Sequence, residues 1–322
     1  MDLFTIRKLV ENDLSRVDEQ VDKALSSDIS LIPLLGRHLI HSVGKRLRPL
    51  VALLAAHAFG YQGHDHIALA ASLELIHTAT LLHDDVVDVS HLRRNKPTAN
   101  ALWGNPASVL VGDFLYSRAF QLMVNVQHWH VLQSLADTTN RIAEGEILQL
   151  TQCHNIDLEE SDCLKVIRAK TGLLFATAAI QGALLTQSSS KTVQLMADYG
   201  MHLGIAFQLV DDALDYSANS EILGKNQGDD LAEGKVTLPL LCALKRGNAK
   251  QVAIIRDAIK AGKREYLHDI LVIIESTGAI SYTYQLAKQY AGQAADYLQQ
   301  IPASIYQEAL SALTIFAVDR SS

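Results

Sequence analysis

The chain has 322 residues, 48% hydrophobic and 6% aromatic, long enough to bury a substantial core. Its net charge of -7 excludes a basic nucleic-acid footprint and a polybasic membrane anchor, while leaving room for a locally basic pocket. Cys153, Cys163 and Cys242 are odd in number and lack metal-ligand spacing, which predicts plain thiols in a reducing compartment.

The first twenty residues carry charges throughout and no apolar run of the kind a secretory leader needs, so a cytoplasmic protein is expected. Ile6, Val10, Leu14, Val17 and Val21 recur at helical spacing and predict one amphipathic helix lying on the outside. The next feature, "GKRLRP" at 44–49, sets Lys45, Arg46 and Arg48 just before an apolar helix. Arg48 can grip a phosphate bidentately and Lys45 can add a point charge.

Segments 66–82, 107–124, 172–186 and 200–214 are apolar on nearly every face, as helices surrounded by other helices are. None reaches the roughly 20 apolar residues of a membrane span. The first of them runs into Asp84, Asp85 and Asp88, which a helix gathers into one patch, because residues three or four apart are neighbours. An acidic cluster at a helix end serves equally well as a solvated surface. A second cluster in the same spacing, Asp211, Asp212 and Asp215 after another apolar run, argues for a pair with one purpose. If the two helices face each other, six carboxylates line one cavity mouth. Oxygen ligands without Cys or His favour Mg²⁺, which keeps part of its water shell and is completed by substrate phosphates. The anion expected with it is a di- or triphosphate.

Cations are spread to match. "RRNKPT" brings Arg93 and Arg94 a short loop after the first cluster, "AKTG" brings Lys170 and Thr171, and 225–235 brings Lys225 and Lys235. Each alone reads most simply as a solvated charge. Together they exceed what one diphosphate needs, so two anionic substrates are expected. His77 lies two turns before Asp84 on the same face, where it suits a donor to the second phosphate or a satisfied core histidine. Residues 217–237 form the longest loop candidate, and no Pro- or Ser-rich linker divides the chain. One all-α domain over 1–322, a large helical bundle, is the architecture expected.

The ordered set "GKRLRP", "ELIHTATLLHDDVVD", "RRNKPTAN", "GDFLYSRAF", "AEGEILQL", "FQLVDD" and "GDDLAEGKVTLPL" resembles the trans-polyprenyl diphosphate synthases over nearly the whole chain. Among them it is most similar to the bacterial octaprenyl diphosphate synthases. The resemblance implies a bundle around a deep apolar cavity, usually a homodimer, and two or three Mg²⁺ ions bridging the diphosphate. It places Lys45, Arg48, His77 and Arg94 on isopentenyl diphosphate. Arg93, Lys170, Thr171, Gln208, Lys225 and Lys235 fall on the allylic diphosphate, with Lys170 and Lys225 assisting its departure. It makes Asp84, Asp88 and Asp211 the metal ligands, with Asp85, Asp212 and Asp215 in support. One departure is Asn95, where relatives often have glycine; Asn tolerates a left-handed turn better than most residues.

Product length is expected to follow from the helix face below the first cluster. Short-chain relatives block this level with aromatic rings, whereas Ala79 and Thr80 are small and Ile76 and Ser72 continue the face without a plug. Met123 is a candidate floor, and equally a gap-filling core residue. A C40 product for a quinone side chain is expected, with C45 as its neighbour. A class I terpene cyclase would need only one diphosphate and a different second motif. A non-catalytic subunit would lack acidic or basic motif residues that this chain retains.

Overall fold

The computed structural model describes residues 1–40, 45–217 and 227–319. The described residues are predominantly helical. In chain order the helices are α1 Leu3–Lys8, α2 Glu11–Ala24, α3 Leu31–Ile40, α4 Leu47–Ala58, α5 Asp65–Val87, α6 Ala99–Trp103, α7 Asn105–Asn125, α8 Trp129–Gln152 and α9 Glu160–Ile167. They continue as α10 Leu173–Leu185, α11 Ser190–Asp215, α12 Asp229–Ala232, α13 Leu238–Arg246, α14 Ala249–Ala261, α15 Leu267–Ser276, α16 Ala279–Leu298 and α17 Ile305–Val318. Among the described residues, the strands are a two-residue pair, β1 Leu92–Arg93 and β2 Lys96–Pro97, in antiparallel register with Arg93 opposite Lys96. No helix of the described residues is long and apolar enough to cross a membrane.

The chain forms two compact units. The first comprises Met1–Thr139, Leu174–Gly200 and Asp296–Leu313. Its centre is α4 and α5, whose apolar residues cover all faces, so both helices are enclosed by others. Leu50, Leu53, Leu54, Leu69, Leu73, Leu75 and Ile76 are fully buried. α7 lies along α5, and the two approach closely enough for Ser108 Oγ to donate to the Leu82 carbonyl at 2.9 Å. Inside the same unit Tyr199 is fully buried, and its hydroxyl donates to the Leu310 carbonyl at 2.9 Å, so the ring adds apolar area without stranding its polar end.

The predicted N-terminal helix is in fact two. Val10 leaves the helical region at φ -128°, ψ 25°, dividing α1 from α2, yet Ile6, Val10, Leu14, Val17 and Val21 are all buried. The apolar stripe survives the break, because each short helix buries the same face.

α10 crosses α4 at Gly182, where a Cβ would run into the Ala55 backbone carbonyl. Backbone yields far less than a side-chain tip, so the close crossing depends on glycine. Gly182→Ala should therefore destabilise the chain by about 1–3 kcal/mol despite its better helix propensity, read as a lower urea midpoint.

The second unit comprises Asn140–Leu173, Met201–Ala295 and Thr314–Ser322. Its core joins Ile205, Leu209, Leu214, Leu240, Ile255, Ile270 and Ile274. Between α9 and α10 the chain makes a π turn over Arg168–Gly172, closed by the Leu173 N–H donating to the Arg168 carbonyl. Within the loop expected over 217–237, Asp229–Ala232 coil into α12. Residues 218–226 lie outside the described set.

Candidate active site

In the first unit, α5 ends at Val87 with Asp88 as its C-terminal cap, so all three aspartates of the first cluster stand on the last turn. They are not equivalent. Asp84 and Asp88, four residues apart, are half-buried, whereas Asp85 is completely buried. Asp85 Oδ1 accepts from Arg93 Nε at 2.9 Å and from Arg93 Nη2 at 2.8 Å, and the Asp85 carbonyl accepts from Asn100 Nδ2 at 3.1 Å. A buried carboxylate needs such a partner. Burial opposes the charge on Arg93, but Asp85, Asp84 and Asp88 around it raise the guanidinium's pKa further.

The hairpin that delivers Arg93 turns through Arg94 (φ 52°) and Asn95 (φ 60°), both left-handed, as a two-residue turn requires. Asn95 thus occupies a backbone position that glycine would adopt at no cost, as its tolerance of left-handed geometry suggests. Thr98 Oγ1 and Asn100 Nδ2 both donate to the Ser90 carbonyl, at 2.7 and 3.1 Å, fixing the hairpin's base. A hollow lined by Asp85, Arg93, Arg94, Lys96, Leu81 and Thr98 gathers three of the loop's cations.

Arg48, in the first turn of α4, donates from Nη1 to His77 Nε2 at 3.2 Å and lies 4.7 Å over the Phe175 ring. A guanidinium can only donate, so Nε2 is the imidazole acceptor and the proton of neutral His77 sits on Nδ1. Burial, with Arg48, Arg93 and Arg94 adding repulsion, holds the His77 pKa well below its usual value. Glu74, one turn before His77, is buried, and burial raises its pKa against the pull of Arg46, Arg48 and Arg94. Lys45 is exposed, and its carbonyl accepts from Arg7 Nη1 at 3.1 Å. Further along the α5 face, Ala79, Ile76 and Ser72 are fully buried, Thr80 is half-buried with its hydroxyl on the His77 carbonyl, and Met123 is buried on α7.

In the second unit, the second cluster closes α11. Asp211 is half-buried, while Asp212 and Asp215 are each 4% exposed. Asp212 Oδ1 accepts from Gln208 Nε2 at 2.8 Å, and Gln208 Oε1 accepts from Thr171 Oγ1 at 2.8 Å. The Asp215 carbonyl accepts from the Gly228 N–H at 3.0 Å and its Oδ2 from the Asp230 N–H at 3.3 Å, tying α11 to α12. Lys170 protrudes from the π turn, a distortion common at functional sites, and donates to Glu146 Oε2 at 2.7 Å and Gln149 Oε1 at 3.0 Å. Lys235 pairs with Glu233 at 2.7 Å. Lys225 lies outside the described residues.

Thr171, Gln208 and Asp212 thus form one relay that aims a carboxylate, a use of Thr171 and Gln208 that the sequence does not announce. Thr171→Val should lose about 1 kcal/mol of stability by stranding Gln208 Oε1, and should lower kcat as Asp212 loosens. Thr171→Ser should restore both. Urea titration and steady-state kinetics on the two variants check this.

Glu146, Gln149 and Asn100 were not singled out by sequence reasoning. Glu146 and Gln149 stand three apart in "AEGEILQL", one helix face, and that spacing beside a nearby lysine was the available signal. Asn100 carries no local signal.

A family model described as Polyprenyl synthetase matches residues 30–275. An octaprenyl diphosphate synthase from Haemophilus influenzae is 46% identical over 322 residues, covering 100% of this chain and 98% of its own. A nonaprenyl-diphosphate synthase from Rhodobacter capsulatus, described as geranyl-diphosphate specific, is 41% identical over 312 residues, covering 97% and 96%. Among solved structures, a polyprenyl synthase from Caulobacter crescentus, complexed with calcium and isoprenyl diphosphate, superposes with a TM-score of 0.96 at 43% identity, covering 100% and 98%. The all-α architecture and the family match define a prenyl-transferring class of enzyme. The chain belongs to the polyprenyl synthetase family and is a prenyltransferase.

Proposed function

We propose that this enzyme condenses isopentenyl diphosphate repeatedly onto an allylic diphosphate, farnesyl diphosphate being the expected primer, and releases octaprenyl diphosphate, C40, for a quinone side chain. The observation that carries the reading is the division of labour within each acidic cluster. Asp85 and Asp212 are buried and held, by Arg93 and by Gln208, while Asp84, Asp88 and Asp211 keep accessible carboxylate at helix ends. All donors are oxygen, the set a hard cation takes. Asp84, Asp88 and Asp211 would hold Mg²⁺, two or three ions per site, with Asp85, Asp212 and Asp215 fixing the helix ends that present them. When bound, Mg²⁺ supplies positive charge to the departing diphosphate.

The protein's own groups do the rest. Arg93 offers its Nη1 edge to the allylic diphosphate while its other edge stays on Asp85. Lys170, aimed by Glu146 and Gln149, adds charge to the leaving group as the allylic C–O bond breaks, with Lys225 in the same role and Lys235 binding that diphosphate. Thr171 and Gln208 border that anion. Lys45, Arg48 and Arg94 hold isopentenyl diphosphate, and neutral His77 donates from Nδ1. The homoallylic double bond then attacks the allylic cation, and the released diphosphate accepts the proton that leaves. Apolar faces of α5 and α7 keep water from the cation, and the growing tail follows the Ala79 and Thr80 level toward Met123. The working form is a cytoplasmic homodimer built from a single synthase domain.

Chromatography of dephosphorylated products made from farnesyl and geranylgeranyl diphosphate primers tests the reading. A dominant C40 alcohol supports it. A dominant C45 alcohol would align the chain with the Rhodobacter relative, and no consumption of isopentenyl diphosphate would overturn the assignment.

A further inference from the structure

Away from the aspartate motifs, three helices of the first unit bring Asp13 of α2, His57 of α4 and His66 of α5 to one point. Their ligand atoms all lie within 4.8 Å of one another. Asp13 Oδ2 is 2.6 Å from His57 Nε2 and 3.1 Å from His66 Nε2, so both imidazoles converge on a single carboxylate oxygen. The two rings meet edge to face at 5.5 Å between centroids.

We propose that Asp13, His57 and His66 bind one borderline transition-metal ion of the Zn²⁺ type, clamping α2, α4 and α5 together. Two nitrogens and one oxygen are a donor set that prefers Zn²⁺ over Mg²⁺. Ligands about 2.0–2.2 Å from a tetrahedral ion stand roughly 3.3 Å apart, and the two Asp13–histidine separations lie within a sub-ångström adjustment of that. An ion would take the place of the two hydrogen bonds on Asp13 Oδ2, each imidazole then carrying its proton on Nδ1 and turning its Nε2 lone pair to the metal. His66, 4% exposed, is kept neutral chiefly by burial, and hydrogen bonds from His57 and His66 hold Asp13 below its usual value despite its own partial burial. The rings are also fixed in orientation. Tyr306 stacks on His57 at 4.9 Å, and Tyr61 abuts His66 at 5.6 Å while its hydroxyl donates to Asp65. His57 is 28% exposed, which leaves the fourth position open to water.

This site is separate from the Mg²⁺ ligands. His66 and Asp84 stand 18 residues apart on α5, about 27 Å along the helix axis. Its effect would be mechanical, since α4 carries Arg48 and α5 carries His77 and the first acidic cluster. An ion that binds only the folded chain stabilises it in proportion to its occupancy.

Co²⁺ is the probe. The full chain with one equivalent of Co²⁺ should show the intense visible bands of a histidine-containing, low-coordinate ion, and these should persist in excess Mg²⁺ and vanish on adding Zn²⁺. Zn²⁺ should raise the thermal midpoint by several degrees, and His57→Gln, at a half-buried position, should abolish both the bands and the shift. Mg²⁺-supported prenyl transfer by that variant, assayed without Zn²⁺, should match the unsubstituted chain. Absence of the bands, their loss to Mg²⁺ alone, or their survival in His57→Gln would each overturn the proposal. In the first case Asp13 simply accepts two hydrogen bonds. The Mg²⁺ competition uses the unsubstituted chain, so it decides the matter even if the variant does not fold.

Discussion

Asp84→Ala and Asp211→Ala should each lower kcat by at least about 10²–10³-fold, equivalent to about 2.7–4 kcal/mol of transition-state stabilisation. Both side chains are half-buried at the ends of helices. Asp84 is half-buried on the last turn of α5, while the fully buried Asp85 carries the ion pair with Arg93. Asp211 likewise stands beside Asp212, which takes the hydrogen bond from Gln208. Helical circular dichroism should therefore be preserved in both variants. Asp85→Ala should behave differently, because it strands a buried guanidinium, and its loss of activity should come with a lower urea midpoint. Near-normal turnover by folded Asp84→Ala at saturating Mg²⁺ would remove the metal assignment.

The second large effect concerns product length. Ala79→Tyr should shorten the dominant product by two or more isoprene units, since a ring one turn below Asp84 would stop the tail soon after it leaves the metals. Ala79 is fully buried, so the ring also strains the packing, and about 1–3 kcal/mol of stability should be lost with it. Thr80→Phe gives the cleaner comparison. Thr80 is half-buried and on the same turn, and the same shortening should appear with a smaller fall in thermal midpoint. Met123→Ala should act in the opposite sense, lengthening the product by one or more units. Chromatography of dephosphorylated products resolves all three variants, and an unchanged ladder in Thr80→Phe and Ala79→Tyr alike would remove this helix face from length control.

The aspartate clusters were legible because their meaning is local. Spacing of one and four residues fixes a helix face before any tertiary contact exists, and both clusters do cap helices. The apolar character of α4, α5 and α10 was legible for the same reason. What escaped was whatever depends on which helices become neighbours. Lys170 finds Glu146 and Gln149, and Thr171 finds Gln208, only because α8, the π turn and α11 pack together. The break at Val10 escaped because the apolar stripe runs through it unchanged. The hairpin at 92–97 escaped because strands of two residues show no alternation to read.

That hairpin has a consequence for the two adjacent arginines. Arg93 ends β1, whereas Arg94 opens the left-handed turn at φ 52°, so the chain reverses direction immediately after Arg93. Arg93 is thereby committed inward to Asp85, and Arg94, at the exposed tip, is committed elsewhere. A pair that is indistinguishable in composition is sorted into two addresses by geometry alone. Substitutions that keep the turn's left-handed backbone should be harmless, Asn95→Gly most of all. If the two arginines serve different diphosphates as proposed, it is this two-residue turn that keeps their side chains apart.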